Sequence, residues 1–312
     1  MINLRYHVVS LVAVFLALAI GIAVGASVIN QGLVQQQQAQ LATIERNLDA
    51  KNNTISQLRR QVNAEQSYTE LAEPRLLAGH LANSQVVFVV ADGVEQSVVD
   101  ALSQRVVQAG AAMVGEVWLN EGVEVQRESD RRLVDRALGI STGSTATARY
   151  LLLQSLRAAL RKTAPANVLN ALDDGGLVTL RNQRVDSAPV PADTRIVVVS
   201  GAGEKPSLET VMSPLVTLLA ADDPNRVVVV EIPAPQSTNT AKDSKNAKAT
   251  DTLVELVRAA KALDNRVSTI DDVRVVSGRV ATVLALEDLA TGLVGDYGSG
   301  PGVLGLVPVT DR

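Results

Sequence analysis

The feature that most constrains this chain is an uncharged apolar run near its start, VVSLVAVFLALAIGIAVGASVI, from Val8 to Ile29. Its 22 residues carry only two polar side chains, Ser10 and Ser27. As a helix it would be roughly 33 Å long, enough to cross the hydrocarbon core of a bilayer. A cleaved secretory signal has a shorter apolar region, about 7–15 residues, followed by a small-residue cleavage site. Here the small residues Ala23, Gly25 and Ala26 lie inside the run. The run therefore reads as a retained membrane anchor. Arg5 and His7 sit at its headgroup end, and the first charge beyond it is Glu45. By the positive-inside rule, residues 1–7 stay cytoplasmic, 8–29 span the lipid, and the bulk is extracytoplasmic in the cell envelope.

Composition removes several classes of function. A net charge of −4 and an isoelectric point near 5.4 provide no basic footprint for nucleic acid. With no cysteine, the chain has no disulfide, thiolate nucleophile or thiolate metal site. Aromatic residues make up 2% of the chain, too few for the girdles of a transmembrane β-barrel.

After the anchor, Val34, Leu41, Leu48, Ile55 and Val62 recur seven residues apart, with Ile44 and Leu58 in companion positions. This is a heptad seam, so residues 33–75 read as a coiled-coil stalk; a single amphipathic helix lying on its own domain is the alternative. Gln37, Lys51 and Glu65 interrupt the seam, so self-association through it should be weak and dimeric.

From residue 80 to 312 the pattern alternates between valine-rich runs and helical periodicity. Strands are expected at Gln85–Gly93, Ala111–Leu119, Arg195–Gly201 and Arg226–Pro233, in Arg266–Val273, and at Arg279–Leu286. A helical insert is expected across 127–175, further helices around Ser207–Ala221 and Asp251–Leu263, and a mobile loop at 234–250. The fold class is thus α/β: a single N-terminal transmembrane helix, a coiled-coil stalk, and an exported, mostly parallel α/β sandwich domain.

Few residues carry chemistry. Ser200, Gly201, Gly203 and Lys205, in SGAGEKPS, form a glycine-containing turn between a strand and a helix that is a candidate anion loop, against the alternative of a plain tight turn. Asp173-Asp174, Asp222-Asp223 and Asp271-Asp272 are paired carboxylates at helix ends or turns, where aspartate normally satisfies backbone N–H groups. Met113 and Met212 occupy apolar positions, and His7 and His80 lie far apart in the chain, so no soft-ligand metal site is evident and no catalytic residues can be named. The glycine-rich stretch GDYGSGPG, Gly295–Gly302, offers Asp296, Tyr297, Gly298 and Gly300 as a candidate partner-binding surface, with Tyr297 as its anchor.

Two stretches also carry a family resemblance. The N-terminal one includes Leu4-Arg5, His7, Ser10-Leu11, Ala13–Ala19, Gly21 and Gly25. The C-terminal one includes Ser268-Thr269, Asp271-Asp272-Val273, Gly278-Arg279-Val280, Leu284-Ala285-Leu286, Gly292 and Tyr297-Gly298. With these the chain resembles the mycobacterial copper transport protein B (MctB) family of actinobacterial envelope proteins. The resemblance implies an anchored, non-catalytic envelope protein linked to copper efflux or tolerance, a family sometimes described as outer-membrane. It implies no cofactor, with copper as a transported or sensed ion. Corynebacterial relatives imply the alternative of a septal or envelope scaffold that binds a division or cell-wall partner. Members often carry histidine before the Tyr-Gly pair, where this chain has Asp296.

Overall fold

The computed structural model describes residues 4–161, 167–181, 190–191, 193–222, 225–234 and 252–308. The chain divides into two compact units, one ending at Tyr68 and one beginning at Thr69.

Helix α1 spans Leu4–Leu77; its residues up to Tyr68 make the first unit and its closing turns belong to the second. Arg5–Gly25 is long and apolar enough to cross a membrane, with mean hydropathy 2.8 and no part buried within the chain. Further along, Leu41, Ile44, Leu48, Ile55, Leu58 and Val62 are all exposed on the helix surface. Residues 33–75, read as a coiled-coil stalk, are thus seen as part of one helix whose apolar stripe faces outward.

In the second unit, the strands are β1 (Gln85–Ala91), β2 (Ala112–Leu119), β3 (Val178–Arg181), β4 (Arg195–Gly201), β5 (Val227–Ile232), β6 (Val267–Ile270) and β7 (Asp296–Tyr297). They form one sheet in the order β3-β2-β1-β4-β5-β6-β7. Every neighbouring pair is parallel except β2 and β3. The valine runs explain this arrangement. Val86–Val90, Val197–Val199 and Val227–Val230 are wholly buried along their length, as expected for strands covered on both faces.

The helices are α2 (Gln96–Gln108), α3 (Glu128–Leu138), α4 (Thr145–Leu160), α5 (Val168–Asp174), α6 (Ser213–Asp222), α7 (Leu253–Ala259) and α8 (Val276–Asp288). A π-helical turn, Leu208–Met212, leads into α6. Helices α2 and α8 pack on one another and on the sheet, as do α6 and α7. The helical insert appears as α3, α4 and α5. The loop at 234–250, apart from Ala234, and Asp223 lie outside the described residues. One acid of each of two pairs satisfies a nearby backbone N–H: Asp173 accepts that of Leu180 at 3.2 Å, and Asp272 that of Arg274 at 2.8 Å.

Two expectations need correction. Arg279–Leu286 is part of helix α8, not a strand. Its buried residues Arg279, Thr282, Val283 and Leu286 repeat at three- and four-residue steps, and Ala281 and Ala285 favour helix over the β-branched Val content that signalled a strand. Gly278 is required near the start of α8, because a Cβ there would collide with the Asp272 carbonyl oxygen. The sheet instead ends in β7, within the glycine-rich stretch read as a candidate partner-binding surface. Tyr297 is only 8% exposed, and β7 pairs with β6 through Thr269–Asp296 and Ile270–Tyr297. Both oxygens of Asp271 then hold the segment that follows, accepting the N–H groups of Ser299 at 3.0 Å and Gly300 at 2.6 Å. Gly298 lies between, at φ 129°, where any side chain would strike that carboxylate.

The Tyr297 ring is therefore part of the packed sheet edge and not a projecting anchor. Tyr297→Ala is expected to destabilise the chain by about 3 kcal/mol, as for other buried aromatic truncations, while Tyr297→Phe stays near the parent. Thermal unfolding of the full chain in detergent checks this; an unchanged melting temperature for the alanine variant would contradict the packing.

Candidate functional site

Because β4, β5 and β6 run parallel, their carboxyl ends share one edge of the sheet, the usual place for ligands in open α/β folds. That edge holds Ser200-Gly201 from β4, Glu231-Ile232 from β5, and Asp271-Asp272 just after β6. Above it lie two adjoining cavities of about 620 and 560 Å³ that share Glu231, Pro233, Ala234 and Thr252 as lining. The first extends over Gly201–Leu208, the second towards Arg258, Asp271 and Arg274.

Strand order reverses between β1 and β4, where a doubly wound sheet normally opens its binding crevice. Here that crevice is sealed. Gly93 and Gly203 abut so closely that a Cβ on Gly93 would strike the Gly203 carbonyl oxygen. The Lys205 N–H donates to the Asp92 carbonyl at 2.7 Å, and Lys205 Nζ lies 2.7 Å from Asp92 Oδ2. The open volume is displaced onto β5.

Glu231 sits at the bottom of that volume. Register places it beside Ser200, and it is 5% exposed. Its Oε2 is buried without a hydrogen-bond partner. Burial pushes its carboxyl up to about 7; the Glu204 charge adds to this, while hydrogen bonds from Ser200 and the Val254 backbone oppose it. Glu204, from the loop after β4, is likewise raised by burial, against hydrogen bonds from the Ser200 hydroxyl at 2.9 Å and the Gly201 N–H at 3.5 Å. Ser200 has a single hydroxyl proton and satisfies one carboxylate at a time. The result is a pair of poorly solvated carboxylates, both raised by burial, that favour a nearby positive charge.

Gly201, Gly203 and Lys205 are brought together on the wall of this cleft with Ser200 beside them, and Ser200, Gly201 and Lys205 donate to the protein itself. Lys205 is paired with Asp92 and Ser200 with Glu204. The N–H groups of Ala202, Glu204 and Lys205 donate to the carbonyls of Ile232, Gly201 and Asp92. An anion would meet carboxylates there in place of free donors. Asp296, Tyr297, Gly298 and Gly300 stand at the sheet edge, and of these Gly300 lines the cleft. Asp296 accepts the Thr269 hydroxyl at 2.5 Å and stands 3.6 Å from Arg258 Nε. Arg5 and His7 are exposed at the start of α1. Met212 is buried and Met113 partly so, and His80 pairs with Glu287 at 2.7 Å. Among the described residues, no group of three or more His, Cys, Asp or Glu is placed to hold a metal ion. Glu231 is legible in sequence as the lone acid in the run VVVVEI. Nothing local marks Glu204.

Fold and site together define an α/β protein with an N-terminal helix apolar enough to span a membrane and an acidic cleft at the carboxyl edge of a parallel sheet. A family profile described as "Copper transport outer membrane protein, MctB" matches residues 1–308. The chain belongs to this MctB family, as the two terminal stretches indicated. Among its relatives is "Copper transporter MctB" of Mycobacterium tuberculosis (strain ATCC 25618 / H37Rv), 27% identical over 328 residues that cover 97% of this chain and 98% of the relative. The Mycobacterium leprae (strain TN) protein of the same description is 26% identical over 325 residues, with the same coverage.

The buried carboxyl of Glu231 makes stability depend on pH. Between about 4.5 and about 7 the folded state holds more protons than the unfolded one, so stability falls as pH rises, by about 3 kcal/mol. Glu231→Gln is expected to match the parent at pH 5 and to melt higher than it at pH 8. A melting difference that stays constant with pH would refute the buried-carboxylate assignment.

Proposed function

We propose that this protein is a membrane-anchored, non-catalytic module on the outer side of the cell membrane that supports copper efflux or tolerance without itself forming the conduit. The observation that carries this reading is the division of labour within the chain. Among the described residues only Arg5–Gly25 is apolar and long enough to cross lipid, while everything from Thr69 belongs to a unit built on an open α/β sheet. One helix encloses no pore, and the unpaired edges of an open sheet are excluded from hydrocarbon. Arg5 precedes the span and Glu45 is the first charge after it, so the N-terminus stays in the cytoplasm and the sheet is exported. Copper transport comes to this chain from the family description and its relatives.

A second reading, an envelope scaffold for a division or cell-wall partner, is favoured by the exposed stripe Leu41, Ile44, Leu48, Ile55, Leu58 and Val62. Such a stripe takes another helix, and a second copy of this chain presents the same face. Both readings share the anchor and topology and differ in whether copper is touched directly.

N-terminal sequencing of the purified protein, combined with protease shaving of intact cells, is expected to find Val8–Ile29 retained and the residues beyond Gln31 digestible from outside. A mature chain starting near Ala26 or Ser27 would remove the anchor. In a competition titration against a Cu(I) chelator, the full chain is expected to bind Cu(I) no better than an acidic surface does, since it has no cysteine, two histidines and three methionines. A tight stoichiometric site would restore direct transport.

A further inference from the structure

We infer that the cleft above Glu231 is a binding site for an alkylammonium group, carried by a small organic amine or by a lysine side chain. The inference stands apart from the copper reading and rests on how the cleft is built. At its bottom is a carboxylate, 5% exposed, whose Oε2 has no hydrogen-bond partner. Native structures rarely leave a buried acceptor in this state, and a ligand donor is one standard way to complete it. Glu231 lines both adjoining cavities.

Charge selects a cation. Glu204 shares the site, and its Oε2 already accepts the Ser200 hydroxyl. The N–H groups of Ala202, Glu204 and Lys205 in the loop donate within the protein. The two arginines at the far wall are also engaged. Arg274 donates to Pro233 O at 2.7 Å and to Glu95 at 2.6 Å, and Arg258 donates to Thr269 at 2.7 Å and to Tyr297 O at 3.0 Å. Neither is left to neutralise Glu231.

Shape and coordination select the type of cation. Among the described residues, the acids do not form the group of three or more that a metal ion would need. The buried, unpartnered Oε2 is a single acceptor, which suits the point donor of an ammonium better than the two-pronged edge of a guanidinium. Pro206, Leu208, Pro233 and Val254 supply apolar walls for a methylene chain leading to that charge.

The test is calorimetric titration of the full chain in lipid nanodiscs at pH 6 and pH 8 with two probes, n-butylammonium chloride and Nα-acetyl-lysine amide. Nα,Nε-diacetyl-lysine amide serves as the uncharged control. Among the described residues, Glu204, Lys205, Glu255, Arg258, Asp271, Asp272 and Arg274 are the other charged groups lining the cleft, with Lys205 held by Asp92. Of the acids lining it, Glu231 is the one whose carboxyl is pushed to about 7. Both probes remain charged throughout, because alkylammonium groups titrate near 10.4. Saturable binding of a charged probe is expected, roughly tenfold tighter at pH 8 than at pH 6 as Glu231 ionises. It should weaken at least tenfold in Glu231→Gln, with a smaller loss in Glu204→Gln and with cooperative melting retained in both. Tighter binding of butylammonium identifies a free amine as the natural ligand, and tighter binding of the lysine amide a lysine side chain; either order sustains the inference. Equal binding of the diacetyl control, binding indifferent to Glu231→Gln, or no saturable binding of either charged probe would overturn it.

Discussion

Glu73, in the last turns of α1, is wholly buried and lies between two arginines from different helices. Its Oε2 is 3.0 Å from Nε of Arg105 in α2, and its two oxygens accept hydrogen bonds from Nε and Nη2 of Arg279 in α8, each at 3.3 Å. A buried ionic cluster of this kind contributes little net stability, because removing three charges from water offsets most of their attraction. Its effect is positional. Removing one member leaves an uncompensated charge, at about 3–5 kcal/mol, so the three side chains must stay together. The end of α1 is thereby fixed to α2 and α8, with Leu77 and Leu81 completing the contact as buried apolar residues.

From Glu73 a continuous line of hydrogen bonds reaches the cleft. Arg279 Nη1 donates to the carbonyl of Arg274 at 2.8 Å. Arg274 in turn holds Pro233 through its Nε and the Asp272 carboxylate through its backbone N–H. Pro233, Asp272 and Arg274 all line the cavity over Glu231. The closing turns of the N-terminal helix and the rim of the candidate site are thus joined through one side chain, that of Arg279. Contiguity supplies a path, and coupling along it requires in addition an element with two arrangements.

Most of the architecture was legible because burial on both faces leaves an unbroken signature. Runs such as VVFVVA and VVVVEI can be little else than central parallel strands, and β1, β2, β4 and β5 fall where those runs place them. Legibility failed where distant partners decide the outcome. Arg279–Leu286 reads as a strand on its apolar run RVATVLAL, yet its burial follows the helical period of α8. The two residues of β7 carry no pattern, and their pairing depends on Thr269 and on Asp271, which holds the chain beyond them. The site shows the same split. Glu231 is visible as an acid inside a valine run, but Glu204 and Glu73 owe their burial to tertiary packing. Lys205, which the sequence places in a candidate anion loop, has its partner Asp92 at the far side of the strand reversal.

That pairing also explains why the chemistry lies where it does. A parallel sheet whose strand order reverses between β1 and β4 offers its natural opening at that point, bordered by glycines and helix starts that suit phosphate. In this chain the Gly93–Gly203 contact closes the opening from the backbone side, and the Lys205–Asp92 pair neutralises the one lysine of the loop. What remains open lies over β5, where the sheet presents a carboxylate in place of N–H donors. The parallel strand arrangement is kept, yet the change of position reverses the charge of the ligand it can hold. A phosphate-bearing cofactor would have to break the Lys205–Asp92 pair and approach two acids, whereas a cation finds Glu231 with an acceptor still unmet.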